Sequence, residues 1–318
     1  LAGKFHELYP NIVVEVVGLP WTGMYDKILT TLQTEAAPDV VDVAVAWNIP
    51  YAQLGLLTPL DDYATTLDLS DFYKATLDTA TWKGKLYGIP FRTEVGALGY
   101  NKTIFKESGL DPEKPPKTWD EAYEYGKKIT VPGVKYFYSA GLGEKMHAVY
   151  EFLPLLWGNG GDILDAEYKK AVFNSDAGVE ALDFLAKLYK EGLLPRDSIS
   201  MSRDDMFSNY FLTGKAAAHL MGLYGLPTIK EKNPELYKNL GIAPYWKQPK
   251  GFEQYIQIGG WNRVIPIKSK NKEIAWKFVE FLSTPENQAY YTHTFPARKS
   301  GLKYKNAYGI DYRDPYVQ

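Results

Sequence analysis

Cysteine is absent from this chain of 318 residues. That excludes disulfides, thiolate metal centres and cysteine nucleophiles, and it leaves the redox compartment open. Long apolar runs are missing as well. None approaches the ~18–20 residues of a membrane span, and no signal peptide is visible. An excess of positive charge is also missing: the net charge is −2, with Lys and Arg spread along the chain, so no basic face offers itself to a nucleic acid. Histidine is scarce, and His6, His147, His219 and His293 have no neighbours at metal-ligand spacing. Gly141-Leu142-Gly143-Glu144-Lys145 lacks the span and the Ser/Thr of a P-loop, and no G-x-S-x-G is present. The expectation is a chain without metal or cofactor.

What is present is ordinary in bulk and unusual in one respect. Hydrophobic residues make up 45% and charged residues 23%, which is globular usage and unlike a disordered chain. The length suits two lobes better than one core. Aromatic residues reach 15%, with 25 Tyr and 8 Trp. A flat apolar ring with a polar tip suits an amphipathic partner such as a sugar, and it equally suits an aromatic core.

Local patterning predicts an α/β chain. Residues 12–17 are β-branched apart from Glu15 and follow the turn signal Pro10-Asn11, so they read as a strand. Residues 25–34 carry Ile28, Leu29 and Leu32 at helix spacing. Residues 40–45 form a nearly continuous apolar run of the kind buried on both faces of a parallel sheet. Strand, helix, strand is a βαβ order. Thr118-Trp119-Asp120-Glu121 is a capping box that opens a helix to about Ile129. A helix over 179–189 is expected to present Leu182, Leu185, Leu188 and Tyr189 on one face, with Gly192 stopping it. Residues 216–221 read as a buried strand, and 242–245 as extended. Ile256-Gln257-Ile258 and Val264-Ile265-Pro266-Ile267 flank Gly259-Gly260-Trp261. Ile274, Phe278, Phe281 and Leu282 mark an amphipathic helix, and Thr284-Pro285 opens the next.

The order Gly84-Lys85-Leu86-Tyr87-Gly88-Ile89-Pro90, then Glu94, then Tyr100-Asn101-Lys102, resembles the passage between lobes in the extracellular solute-binding proteins of ABC importers, the maltose-binding-like carbohydrate class. Further pieces follow in the family's order: Tyr9-Pro10-Asn11-Ile12-Val13-Val14, Pro38-Asp39-Val40-Val41, Gly55 to Asp61, Gly160-Gly161, Phe207 with Gly214-Lys215-Ala216-Ala217-Ala218, and Ala275-Trp276-Lys277-Phe278 with Ser283-Thr284-Pro285-Glu286. The resemblance implies a two-lobed, type II-like periplasmic-binding-protein fold, each lobe a mainly parallel sheet flanked by helices. It implies a discontinuous first lobe over 1–97 and 246–290, a second over 98–245 and 291–318, and hinge crossings near 94–101 and 241–246. The family's first strand and the loop after it have no counterpart here. The opening Leu1-Ala2-Gly3-Lys4-Phe5 reads as a helix tail, and the end at Asp314-Pro315-Tyr316 as short. The natural chain is therefore expected to extend further, with that strand, and a secretion signal or lipid anchor, ahead of Leu1.

Candidate site residues come partly from the resemblance, which implies Glu94, Tyr150 and Tyr224, and partly from residue chemistry and position. Glu94 stands seven residues before Asn101, where relatives carry a ligand carboxylate, and Arg92 could donate to the same ligand or pair with Glu94. Trp47 follows the 40–45 strand in a loop, at the carboxyl end where α/β sheets take ligands. Tyr150, Trp157, Tyr224 and Trp261 are aromatic candidates; Gly222 and Gly225 flank Tyr224. Asn262 offers donor and acceptor, and Arg298 follows Phe295-Pro296. Trp82, Trp119, Trp246 and Trp276 read as structural. The implied function is the ligand-capturing receptor of an ABC sugar importer, periplasmic or extracellular, monomeric, delivering a mono- or oligosaccharide to membrane permease subunits after hinge closure. Two alternatives stand beside it. One is a carbohydrate-active enzyme, which needs two carboxyl groups ~5–10 Å apart, with Glu94 and Asp162 as candidates. The other is the same fold holding a polyol or phosphorylated solute.

Overall fold

The computed structural model describes residues 1–20, 23–167, 169–248, 256, 258–292, 294–308 and 310–312. Gln257, His293 and the 314–316 tail named above lie outside them. The chain divides into two compact units, Leu1–Glu94 with Gly259–Gln318, and Val95–Ile258.

The first unit holds a four-stranded sheet in the order Val41–Ala44, Ile258–Val264, Ile89–Val95, Phe295–Pro296. Val41–Ala44 runs antiparallel to Ile258–Val264, with Ala44 opposite Trp261, Val43 opposite Asn262 and Asp42 opposite Arg263. Phe295–Pro296 pairs antiparallel with Thr93 and Arg92. Helices cover the sheet with two apolar clusters. One joins Leu60, Phe72, Ile89, Ile265, Trp276 and Val279; the other joins Ile28, Leu32, Val43, Tyr51, Leu57 and Val264. The short helix Ala2–Leu8 is tied in by Phe5, whose ring lies 5.0 Å from Phe278 and 5.4 Å from Phe281.

The second unit orders its sheet Tyr136–Tyr138, Ala216–Met221, Ala97–Asn101, Leu240–Ala243. Ala97–Asn101 is antiparallel to both of its neighbours, while Tyr136–Tyr138 is parallel to Ala216–Met221. Three strands therefore run one way, and the strand entering from the other unit runs against them. That is why the expected parallel hydrogen-bonding is found at a single ladder of this sheet. The core packs Trp119, Phe137, Tyr138, Phe184, Tyr245 and Trp246 with the sheet's apolar residues.

Several local expectations are met. The Thr118–Glu121 capping box is formed in full, Thr284 caps the helix Pro285–Tyr291, and all six residues of Ala216–Met221 are buried. Others are corrected. Residues 12–17 form no ladder with any described strand, and Val13, Val16 and Val17 are 84%, 76% and 73% exposed. A strand without a neighbour leaves its backbone groups to water. Residues 41–44 are a strand, but Val45 already opens a helix, Val45–Gln53. In the helix Asp176–Lys190, Leu185 and Leu188 are buried while Leu182 is exposed. The divides fall at Glu94/Val95 and Ile258/Gly259 rather than at 97/98 and 245/246. Tyr245 and Trp246 belong to the second core. Residues 291–318, expected in the second lobe, belong to the first unit, because Phe295–Pro296 joins its sheet and Arg298 pairs with Asp71.

Candidate functional site

In the first unit, four of the expected residues come together. Arg92 and Glu94 project half-buried from Ile89–Val95, on either side of the buried Thr93. Their charged groups lie 3.7 Å apart. The Arg92 guanidinium also sits over the Trp261 ring, 5.0 Å from its centroid, a stacking that suits a planar cation. Trp261 in turn meets Trp47 edge-on at 6.0 Å, and Trp47 meets Tyr25 at 5.7 Å. Tyr25 stacks on Tyr51 at 5.3 Å, and the Tyr51 hydroxyl donates to the Tyr25 carbonyl. Trp47 is thus held on the first turn of Val45–Gln53, not in a loop.

Glycine makes this approach possible. Gly260 has φ of +142°, and a Cβ there would collide with the Arg92 carbonyl. A Cβ on Gly259 would meet the Glu94 side chain at 3.4 Å. Burial lowers the Arg92 pKa, with Glu94 and Asp42 opposing the shift, and the Arg92 Nε is buried without a hydrogen-bond partner. Asp42 itself accepts from Arg263 Nε at 3.1 Å, and the Arg263 guanidinium lies 3.8 Å from the Phe91 centroid. The ensemble offers flat rings, one donor fork and one carboxylate acceptor, a set that can bind hydroxylated matter.

In the second unit, Tyr150 lies on the helix Lys145–Gly158, and Tyr224 on the turn between Ala216–Met221 and Gly225–Lys232. Both are half-buried. They share Arg203, whose guanidinium is 5.8 Å from each ring centroid. Trp157, two turns further along the helix, donates from Nε1 to Asp162 at 3.2 Å, which ties its ring to Asp162. Behind Tyr150 the next residue, Glu151, is fully buried. It accepts from the Tyr138 hydroxyl at 2.6 Å and the Tyr245 hydroxyl at 3.2 Å. Burial pushes its carboxyl up to about 7 despite these hydrogen bonds and the nearby charge of Arg203. His219, also fully buried, hydrogen-bonds Ser139, and burial pushes it down to about 3.

Two expected residues are elsewhere. Asn262 is completely buried, and its amide hydrogen-bonds Thr79 at 3.2 Å. Strand alternation turns it inward as Trp261 turns out. Arg298 donates from Nε to Asp71 at 2.7 Å and from Nη1 to the Ser283 carbonyl at 3.0 Å. Both charged side chains of that pair are largely buried, at 11% and 14% exposure, so Arg298 is a structural tie. Arg203 was not singled out from sequence. In Met201-Ser202-Arg203-Asp204-Asp205 it stands beside two acids, and nothing local separates it from a surface ion pair. Trp119, Trp246 and Trp276 are buried as expected, and Trp82 lies half-buried under Lys83. A groove on the first unit, lined by Asp61, Leu67, Leu69, Leu77 and Leu86 among others, takes in none of the nine candidate residues.

Among the described residues no cluster of three or more metal-ligating side chains occurs, and no helix is long and apolar enough to cross a membrane. Comparison with known proteins gives a consistent picture. A solute-binding protein of Thermotoga lettingae, solved with α-D-tagatose, is 30% identical and superposes with a TM-score of 0.81, covering 95% of this chain and 77% of that one. The maltose-bound MalE3 of T. maritima is 28% identical, with a TM-score of 0.80 over 99% of this chain and 79% of that one. The sn-glycerol-3-phosphate-binding periplasmic protein UgpB of Salmonella typhimurium is 28% identical over 307 residues, 91% of this chain and 67% of its own length. Residues 1–289 match the family model of the bacterial extracellular solute-binding proteins, and the chain belongs to that family.

Proposed function

We propose that this chain is the receptor subunit of an ABC importer and that it captures a small polyhydroxylated solute, a mono- or oligosaccharide in the first instance, by closing its two units on it. The observation that carries this reading is the Trp47–Trp261–Arg92–Glu94 group. Rings take the apolar face of a sugar, while an ionised acceptor and a guanidinium fork select its hydroxyls. Tyr150 and Tyr224 give the second unit a matching aromatic character. Ligand contacts made by both units favour the closed state over the open one, and that difference is what shifts the equilibrium. The partners of this reading are the membrane permease subunits, its place is outside the cytoplasmic membrane, free or lipid-anchored, and its solute leaves unchanged.

A second reading keeps the fold and changes the cargo to a phosphorylated polyol; the likeness to the glycerol-phosphate receptor favours it. In the first unit Arg92 is then the cation on offer, since Arg298 is engaged by Asp71. A thermal-shift panel of mono- and oligosaccharides, polyols and sugar phosphates tests both, because a ligand of the folded state raises the melting point. Saturable stabilisation by a solute recovered intact is the expected result. Shortened oligosaccharides among the recovered solutes would replace the receptor by an enzyme.

A further inference from the structure

One arginine of the second unit lies close to two candidate aromatics. Among the described residues the Arg203 guanidinium has no ion pair and donates no hydrogen bond. Its Nε is buried without a partner. The unit's other arginine, Arg196, lies over Tyr189 near the C-terminal end of the helix Asp176–Lys190. Arg203, by contrast, is placed between the two aromatic candidates, 5.8 Å from the Tyr150 and the Tyr224 ring.

Its position is set firmly by its backbone. A Cβ on Gly141 would collide with the Arg203 N and Cα, and a Cβ on Gly143 with Ser200. The Gly143 amide donates to the Met201 carbonyl at 3.0 Å. The segment carrying Arg203 is therefore pressed against the 141–143 loop and cannot be displaced without moving it. The charged and titratable groups around it are Glu151, His147, His219 and Asp204. Glu151 is held by two tyrosine hydroxyls, and His147 faces Glu144 at 2.8 Å. None of them takes the guanidinium's donors.

We propose that Arg203 is a ligand-binding, specificity-determining residue of the second unit, presenting its donor fork between Tyr150 and Tyr224 to a pair of acceptor oxygens on the solute. A guanidinium has five N–H donors in a fixed plane and accepts nothing, and it matches two adjacent oxygens better than an ammonium can. Two sources supply such a pair, vicinal ring hydroxyls or a phosphate. The inference rests on the receptor reading above and names a residue that reading did not use.

The test titrates maltose, α-D-tagatose and sn-glycerol 3-phosphate against the intact chain and its Arg203→Lys, Arg203→Gln and Trp47→Ala variants by calorimetry, with the melting point of each solute-free variant recorded. Both Arg203 variants are expected to weaken the bound probe by about 10- to 100-fold with the solute-free melting point unmoved. The lysine variant fails because it keeps the charge and loses the fork. A larger loss for the glycerol phosphate than for the sugars assigns the oxygens to a phosphate, and an equal loss to hydroxyls. Wild-type affinity in both Arg203 variants, with Trp47→Ala impaired, overturns this inference and leaves the receptor reading standing. A loss accompanied by a matching fall in the melting point makes Arg203 structural and overturns it too. Binding of no solute by the intact chain removes both.

Discussion

In the proposed reading, Glu94 and Trp261 are the side chains on which the first unit's binding chemistry depends most. Exchanging Glu94 for Gln removes an ionised acceptor, and hydrogen bonds to charged groups contribute about 1.5–3 kcal/mol. The expected result is a roughly tenfold or greater weakening of solute binding by calorimetry, with the fold unchanged. Trp261→Ala removes the ring that Arg92 and Trp47 both lean on, so binding falls and Arg92 loses its stacking partner. Gly260→Ala acts on the backbone instead. A φ of +142° is accessible to glycine and strained for alanine, and the new Cβ would strike the Arg92 carbonyl. Denaturant melts should show a loss of about 1–3 kcal/mol. The spacing before Asn101 nominated Glu94, and the structure sets it half-buried beside Arg92. Surroundings were not legible where tertiary partners decide them. Asn262 looks like Trp261's companion in the sequence and is turned into the core by strand alternation. Arg298 is claimed by Asp71, 227 residues away, and Arg203 is left unclaimed by folding that no local pattern announces.

Elements with local signals were the most readable. The capping box at Thr118 is complete because its groups lie within one turn, and Thr118→Ala should cost about 1 kcal/mol in a urea melt. Residues 12–17 show the converse, since a β-branched run specifies a strand only when a neighbouring strand is there to pair with it. The helix Lys145–Gly158 has a consequence for pH, because it carries Glu151 into the core beneath Tyr150. A carboxyl raised from 4.5 to about 7 in the folded state stays protonated while the unfolded chain ionises. Folding stability therefore falls as pH rises from about 4.5, and the whole penalty is present above about 7. It amounts to roughly 3–4 kcal/mol. His219 works in the other direction. Lowered from 6.5 to about 3, it stays neutral while the unfolded chain takes up a proton, so stability is lost as pH falls below 6.5. Between pH 5.5 and pH 8 the His219 penalty is relieved in wild type and variant alike, so the Glu151 effect is read as the difference between them: urea melts should show Glu151→Gln gaining about 2 kcal/mol on wild type over that interval. The same change with pH in both proteins would remove Glu151 as the cause.

At the scale of the whole molecule the chain crosses between units twice, at Glu94/Val95 and Ile258/Gly259. The absence of a linker pointed to more than one crossing, while the expected lobes implied a third near residue 290 that is not found, because residues 291–318 stay with the first unit. The second boundary was not legible, because Tyr245 and Trp246 look like the start of a return and are instead the centre of the second core. One consequence is an asymmetry between the units. The second is a single continuous stretch with its own core, and a fragment of residues 95–258 should unfold cooperatively on its own. The first needs both its stretches, because Val41–Ala44 and Ile89–Val95 flank the Ile258–Val264 strand, so a fragment of residues 1–94 should not. The central claim is that two such units close on a small solute and release it intact. Small-angle X-ray scattering of the chain with and without a solute selected by thermal shift tests it most directly. The account predicts a smaller radius of gyration at saturation, reversed on dialysis. A radius unchanged by a solute that calorimetry shows to be bound would contradict it.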